Sequence, residues 1–459
     1  MKTDTIEAAE KLSTYISDFE MFGRSASAKR SDWLKSIRED AFAQFQQLGF
    51  PSTREEDWRY TNVAPISRHP FRRALSRPNG LTSAELSNFT FGELDGCQLV
   101  FVDGAFSQKL STRTALPRGV RVRSLATALQ KDRGRLEPYL AKLAGFDRNA
   151  FTALNTAFMS HGAFVYLPRG IIFNGIIHLL FLSTGHKKNS VTHPRTLIVA
   201  GEETQVSIVE SHVGLEHGVY FTNAVTEIVA ARNSTVEYHK IQRESREAFH
   251  VASLHVLQER DTNFTSHSIS LGGALVRNDL NIVLNAEGAE STLNGLYVTA
   301  EKQHVDNHTK IDHAKPNCRS RELYKGILDE QSTAVFNGKI LVRMNAQKTS
   351  AKQTNKNLLL SDRALVNSTP QLEIFADDVK CTHGATIGHL DEDELFYLRS
   401  RGIDEVSART LLTYAFASEI LSTVKIKPIQ CQIDLVLLTR LNRLQEDSWQ
   451  QTSSGGVGL

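Results

Sequence analysis

Apolar and polar positions change their rhythm twice along this chain. Between Asp4 and Phe19, the residues Ile6, Ala9, Leu12, Ile16 and Phe19 recur at steps of three and four, which gathers them on one face of an α-helix. Leu34, Ile37, Ala41, Phe45 and Leu48 repeat the pattern, and Gly49 and Pro51 stop it. The polar stretch PSTREEDWRYTN that follows predicts a surface loop pinned by Trp58 and Tyr60. QLVFVDGAFS (98–107) predicts a strand and a tight turn.

From about residue 160 to 385 helical spacing disappears. Short runs rich in Val, Ile, Leu and Thr alternate with Gly, Asn, Asp and Ser, as in RTLIVAGEETQVSIVE, TEIVAARNSTVEYHK and LNIVLNAEGAESTLNG. The middle apolar residues of successive units are Ile198, Ile228, Val256, Ile282, Ile327 and Leu359, with gaps of 30, 28, 26, 45 and 32 residues. Val298 splits the long gap into 16 and 29. A loose period of about 30 over so many short strands predicts a β-solenoid, whose coils bury their apolar faces against one another. A propeller would repeat at about 40–50 residues with an aromatic signature, and none recurs here.

After residue 385 helices return. Asp391 with Glu394 three residues on forms a capping-box pattern, and Gly402 marks a stop. Leu412, Phe416, Ile420 and Val424 form one apolar stripe, and QIDLVLLTRLNRL predicts a further helix. The organisation expected is a helical region with a few strands over 1–155, a solenoid core over 156–386, a helical region over 387–450, and a mobile tail over 451–459.

Composition narrows the classes. The 459 residues are 41% hydrophobic and 23% charged, with a net charge of +2. That is an ordinary soluble composition, with no global argument for nucleic acid. No run approaches the roughly 20 apolar residues of a membrane span, and MKTDTIEAAEKL lacks the apolar region of a secretory signal. Cys97, Cys318, Cys381 and Cys431 form no CxxC pair, so reduced thiols in a cytoplasmic protein are expected.

Motifs for phosphate-binding loops, nucleophile elbows, zinc proteases and dinucleotide folds are absent. LGGALVRND (271–279) is expected to be a turn between coils. His304, His308 and His313 are the densest histidine group. In a strand, His304 and His308 share a face and His313 lies opposite, which suits a hydrogen-bonded ladder or a metal site. VKCTHGATIG (379–388) is different. If QLEIFADDVKCTH is the last strand, giving out at Gly384, Cys381 and His383 point to one side, roughly 6.6 Å apart at Cα. They could contribute to a soft-metal centre, form a nucleophile pair, or be a buried thiol beside a hydrogen-bonded imidazole. Two ligands do not close a four-ligand site.

The stretches NCRSRELYKGILDEQSTAVFNGKILV, AQKTSAKQTNKNLLLSD and PQLEIFADDVKCTHGATIGHLDEDELFYLRSRGI resemble the SufB/SufD family, the paired scaffold subunits of the SUF iron–sulfur cluster assembly system. CTHGAT stands where the SufB branch carries a Glu-rich stretch, so the likeness is to the SufD branch, as is that of PSTREEDWRYTN. The resemblance implies a mainly β fold, a right-handed parallel β-helix between helical regions. It implies a non-catalytic assembly scaffold that pairs with a SufB-like subunit through the β-helix and docks a SufC-like ABC ATPase through its C-terminal helices. A transient iron–sulfur cluster would form at the shared interface, with a cysteine of the SufB-like subunit as one contributor and His383 as the other; Cys381 lies in the same motif and carries less weight. The resemblance also implies a flavin associated with the whole complex, with no residue here assigned to it, and allows a homodimer. The readings that stand beside it are a β-helix carbohydrate lyase or hydrolase, and a purely structural solenoid.

Overall fold

The computed structural model describes residues 2–25, 32–74, 81–87, 89–92, 95–112, 114–186 and 188–454. Its centre is a β-solenoid of about seven coils, each contributing one strand to either of two sheets. One sheet carries Arg195–Ala200, Tyr220–Ala230, Phe249–Gln258, Leu275–Leu284, His304–His313, Thr333–Val342 and Leu365–Ile374; the other carries Gln205–Gly214, Thr235–Arg243, Asn263–Ser270, Glu290–Thr299, Arg319–Leu328, Ser350–Leu359 and Lys380–Gly388. Successive coils pair in parallel and in register.

Register explains the looseness of the sequence repeat. Ile198, Ile228, Val256, Ile282, Ile311, Ile340 and Leu372 stack in one column. Ile327 and Leu359 instead belong to the opposite sheet, where Ile327 lies between Val298 and Leu358. Each coil holds two apolar strands, so reading one residue per unit slipped by half a coil after Ile282. Within either sheet the period stays near 30 residues.

The corners recur with the coils. Glu203, Asn233, Asp261, Gly288, Asn317 and Lys348 all have positive φ, between 54° and 75°. Five donate a backbone N–H to the next coil, as Asn233 does to Arg232's counterpart Arg260 at 2.9 Å and Lys348 to Asp378 at 2.7 Å. Gly288 is required twice over: its φ is +75°, and a Cβ there would lie 2.1 Å from Asp261 Oδ1.

The N-terminal region packs onto the outside of the solenoid. Helices Lys2–Arg24 and Lys35–Leu48 join helix Ala150–Ala157. Tyr15, Phe22, Phe42, Phe45, Phe151 and Phe158 pack there against Phe221, Phe249 and Leu275 of the coils. The side chains of Ile6, Ala9 and Leu12 lie outside the described residues. Gly49 ends the second helix with φ +64°, and Leu48 is exposed. Strand Gly96–Val102 pairs in parallel with Ile172–Ser183, so this region also supplies part of the first coil. A buried ion pair ties the layers: Arg195 Nη2 lies 2.7 Å from Glu227 Oε2. The Glu227 carboxylate also accepts from the backbone N–H groups of Ala141, Leu143 and Ala144.

The C-terminal helices Glu392–Ser400, Glu405–Leu421 and Lys427–Ser454 cover the outer face of the second sheet. Asp391 caps the first by accepting from the Asp393 and Glu394 N–H groups, and Gly402 follows with φ +86°. Ile420 and Val424 of the apolar stripe are buried with Ile433, Leu437 and Leu441 against Ile241, Ile269, Leu296 and Ile327. The last helix runs through residue 454, beyond the expected start of the tail at 451; residues 455–459 lie outside the described residues. No helix among the described residues is long and apolar enough to cross a membrane.

Candidate functional site

The expected last strand is two strands. Leu365–Ile374 ends one sheet and Lys380–Gly388 ends the other, with a corner over 375–379 between them. The second strand does not give out at Gly384. It stays paired with Ser350–Leu359 through Gly388, because Gly384, Ala385 and Thr386 continue the backbone ladder opposite Thr354, Asn355 and Lys356.

Register places the two site residues. Cys381 continues the column Val206, Val236, Phe264, Ser291, Ser320 and Ala351. His383 continues Ile208, Tyr238, Ser266, Leu293, Glu322 and Gln353. In earlier coils these columns are buried and point into the solenoid. At the last coil nothing is stacked above them, so His383 is exposed and Cys381 only partly buried. Cys381 packs against a small cluster of Ile340, Val342, Ala346, Ala351 and Ala376. Burial pushes its thiol pKa up, away from the thiolate.

The structure brings Cys381 and His383 to one face of one edge strand. No third His, Cys or carboxylate joins them in a compact cluster among the described residues. The free edges around them carry exposed apolar side chains: Leu365, Ile374, Phe375, Ile387 and Met344. Pro370, in the middle of one edge strand, removes a backbone donor where a sheet edge would otherwise recruit another strand. A cleft of about 830 Å³ beside the corner is lined by Arg319, Arg321, Lys348, Lys352, Lys380 and Asp378, a mostly cationic surface.

Sequence reading missed what lies beneath His383. Gln353 donates from Nε2 to Glu322 Oε2 at 2.7 Å, fully inside the coil stack. Burial pushes the Glu322 carboxyl pKa up to about 7, although donors from Gln353 and Thr309 oppose it. The signal was present: Glu322, Gln353 and His383 follow one another at 31 and 30 residues, the coil period. Deeper inside lies a sealed polar group, with His212 Nε2 2.9 Å from Glu210 and His250 Nδ1 2.7 Å from Glu244. The cavity beside it holds about 10 Å³, room for one water.

The dense histidine group is a structural ladder. His304 and His308 share the outward face of one unbroken strand and His313 points inward to Ser320 Oγ at 2.9 Å. His304 Nε2 meets Thr61 Oγ1 at 2.8 Å, and His308 Nε2 meets Asp306 Oδ1 at 3.1 Å. Arg277, paired with Asp279 and Asp306, lies 4.3 Å from the centre of the Trp58 ring. The PSTREEDWRYTN segment is thus docked through buried Trp58, while Tyr60 is exposed.

Comparison with known proteins agrees with this architecture. Residues 181–416 match the SufBD core domain of the SUF system for FeS cluster assembly, and residues 9–179 match the SufBD protein N-terminal region. The chain belongs to the SufBD family. An iron-sulfur cluster assembly SufBD family protein of Synechocystis sp. is 35% identical over 86% of this chain and 89% of its own length. The iron-sulfur cluster assembly protein SufD of Escherichia coli is 31% identical over 85% of this chain and 89% of its own. SufD of Bacillus subtilis is 25% identical over 93% and 98%. Membership of the SufBD family ties the chain to iron–sulfur cluster assembly within the SUF machinery, and its SufD-named relatives span nearly its whole length.

Proposed function

We propose that this chain is a non-catalytic, cytoplasmic scaffold subunit that helps hold a nascent iron–sulfur cluster at the open end of its solenoid. The observation that carries this reading is the last rung: Cys381 and His383 share one face, His383 is exposed, and no third ligand accompanies them among the described residues. Two soft donors cannot close a site alone, so the remaining ligands come from a partner that covers the end.

A SufB-like paralogue is that partner. Unpaired edges in both sheets and the exposed Leu365, Phe375 and Ile387 offer it a continuous surface. The exposed imidazole of His383 is the ring-nitrogen ligand that this end offers to iron. Cys381 must become a thiolate against its raised pKa, so it assists. A SufC-like ABC ATPase docks on the outer face of the C-terminal helices, where Phe396, Tyr397, Leu411 and Leu435 are exposed. A flavin belongs to the assembled complex and has no site assigned here. A homodimer through the same end would compete with the paralogue. The test is co-expression with both partners, followed by affinity capture of this chain and mass spectrometry. Capture of both supports the reading; a chain that stays alone under those conditions contradicts it.

A further inference from the structure

Away from the open end, three potential metal ligands meet under the C-terminal helices. His239 and His267 are register partners on adjacent coils. Their rings are stacked, with centroids 4.7 Å apart and planes within 6°. Glu237 stands two residues before His239, on the same outward face. Ligand atoms of the three residues all lie within 4.8 Å of one another. Both imidazoles are about 1% exposed, and the Glu237 side chain is 17% exposed, leaving a way in from solvent.

Internal hydrogen bonding does not account for this group. His239 Nε2 is 3.2 Å from Glu237 Oε1, yet neither atom is aligned for a hydrogen bond, and His239 Nδ1 also has no partner. A buried imidazole whose Nδ1 has no partner and whose Nε2 only approaches a carboxylate is costly and needs an explanation. Two ligand atoms that approach closely without pointing at each other match one edge of a coordination polyhedron. That edge is roughly 3.3 Å for a tetrahedral ion at bond lengths of about 2.0–2.1 Å.

The surroundings hold the rings in place. Thr423 Oγ1 donates to Ile420 O and lies 3.0 Å from His267 Nε2, and Asn294 Nδ2 lies 3.3 Å from the same nitrogen. The buried His267 Nδ1 has no hydrogen-bond partner. Lys425 is exposed, so solvent screens its repulsion of an incoming cation.

We infer that Glu237, His239 and His267 form a binding site for one divalent first-row transition metal ion of the zinc or iron(II) class. Two histidines and one carboxylate, with an open position toward solvent, are the donor set such ions take. Bound metal would also pin the Thr423 turn, and with it the C-terminal helices, onto the coils. This site is independent of Cys381 and His383.

The test uses the full chain carrying Cys381→Ala and His383→Ala, which silences the open end. Stripped of metal and titrated calorimetrically with Zn²⁺ alone, it should take up one equivalent and melt at a higher temperature. Adding Glu237→Gln should weaken binding about ten-fold or more and abolish the rise in melting temperature. His267→Asn, which places at this position the residue already found one coil on at Asn294, should do the same. Less than half an equivalent taken up by the parent, or equally tight binding by either added variant, would overturn the site. The parent titration decides even if an added variant fails to fold.

Discussion

Gln353 donates its side-chain amide to Glu322 across 2.7 Å, one coil below His383 in the same inward column. The last exposed histidine of the solenoid therefore stands on a buried carboxyl group whose pKa is pushed up to about 7 by burial, against an ordinary value of 4.5. A carboxyl whose folded-state pKa is raised favours folding less as pH rises, because the folded protein holds the proton that the unfolded chain releases. This loss begins near pH 4.5 and is complete above about pH 7. Replacing Glu322 with Gln keeps an acceptor for Gln353 and removes the titration. The variant should match the wild type near pH 4.5 and exceed it in stability by up to about 3 kcal/mol at pH 8. Chemical denaturation at both pH values measures this; an unchanged difference across the range contradicts it.

Arg195 and Glu227 are both fully buried and joined at 2.7 Å. Glu227 also holds three backbone N–H groups of the 141–144 segment. Glu227→Gln leaves the Arg195 charge uncompensated and should cost about 3–5 kcal/mol. Arg195→Met with Glu227→Gln should be less damaging than the single change, which a double-mutant cycle by urea denaturation reads directly.

Burial divides the apolar residues of the C-terminal helices into two sets. Ile420 is fully buried against the second sheet, whereas Leu411 and Leu435 are exposed. Ile420→Ala should cost about 2–5 kcal/mol of stability. Leu411→Asp with Leu435→Asp should leave the melting temperature nearly unchanged and weaken capture of the SufC-like ATPase. Undiminished capture by that double variant would move the ATPase to another face. Deleting the helices outright is a poorer test, because it bares Ile241, Ile269, Leu296 and Ile327 of the coils.

The solenoid was legible because its strands are apolar on a period set by stacking, and because Gly49, Asp391 and Gly402 mark helix ends by backbone chemistry. The half-coil slip after Ile282 arose because both strands of a coil bury apolar faces. Spacing alone cannot tell Ile311, in the same sheet, from Ile327, in the other. The pairing of Cys381 with His383 follows from strand alternation. Their exposure does not: it depends on where the coils stop, and Gly384 gave a false sign of that end. Glu237, His239 and His267 were hidden for a different reason. Only the register between coils makes residues 28 apart neighbours, and no short motif records it.

Cys381→Ala should lower cluster assembly modestly. The residue is only partly buried among Ala351, Ala376 and Val379, so a small loss of packing is expected, under about 1 kcal/mol. Cluster content and melting temperature of the co-expressed complex check both statements; a loss of cluster as large as that of the histidine variant would make the thiol an equal ligand.

The most direct measurement is the iron and sulfide content of the co-expressed complex carrying His383→Ala, with subunit composition and melting temperature taken on the same sample. His383 is exposed and its side chain has no hydrogen bond to another described residue, so its removal should change stability by no more than about 0.5 kcal/mol. The predicted result is an intact complex of normal stability with cluster content reduced about ten-fold or more. Normal cluster content, or a variant subunit that no longer folds, would contradict the assignment of His383 to the nascent cluster.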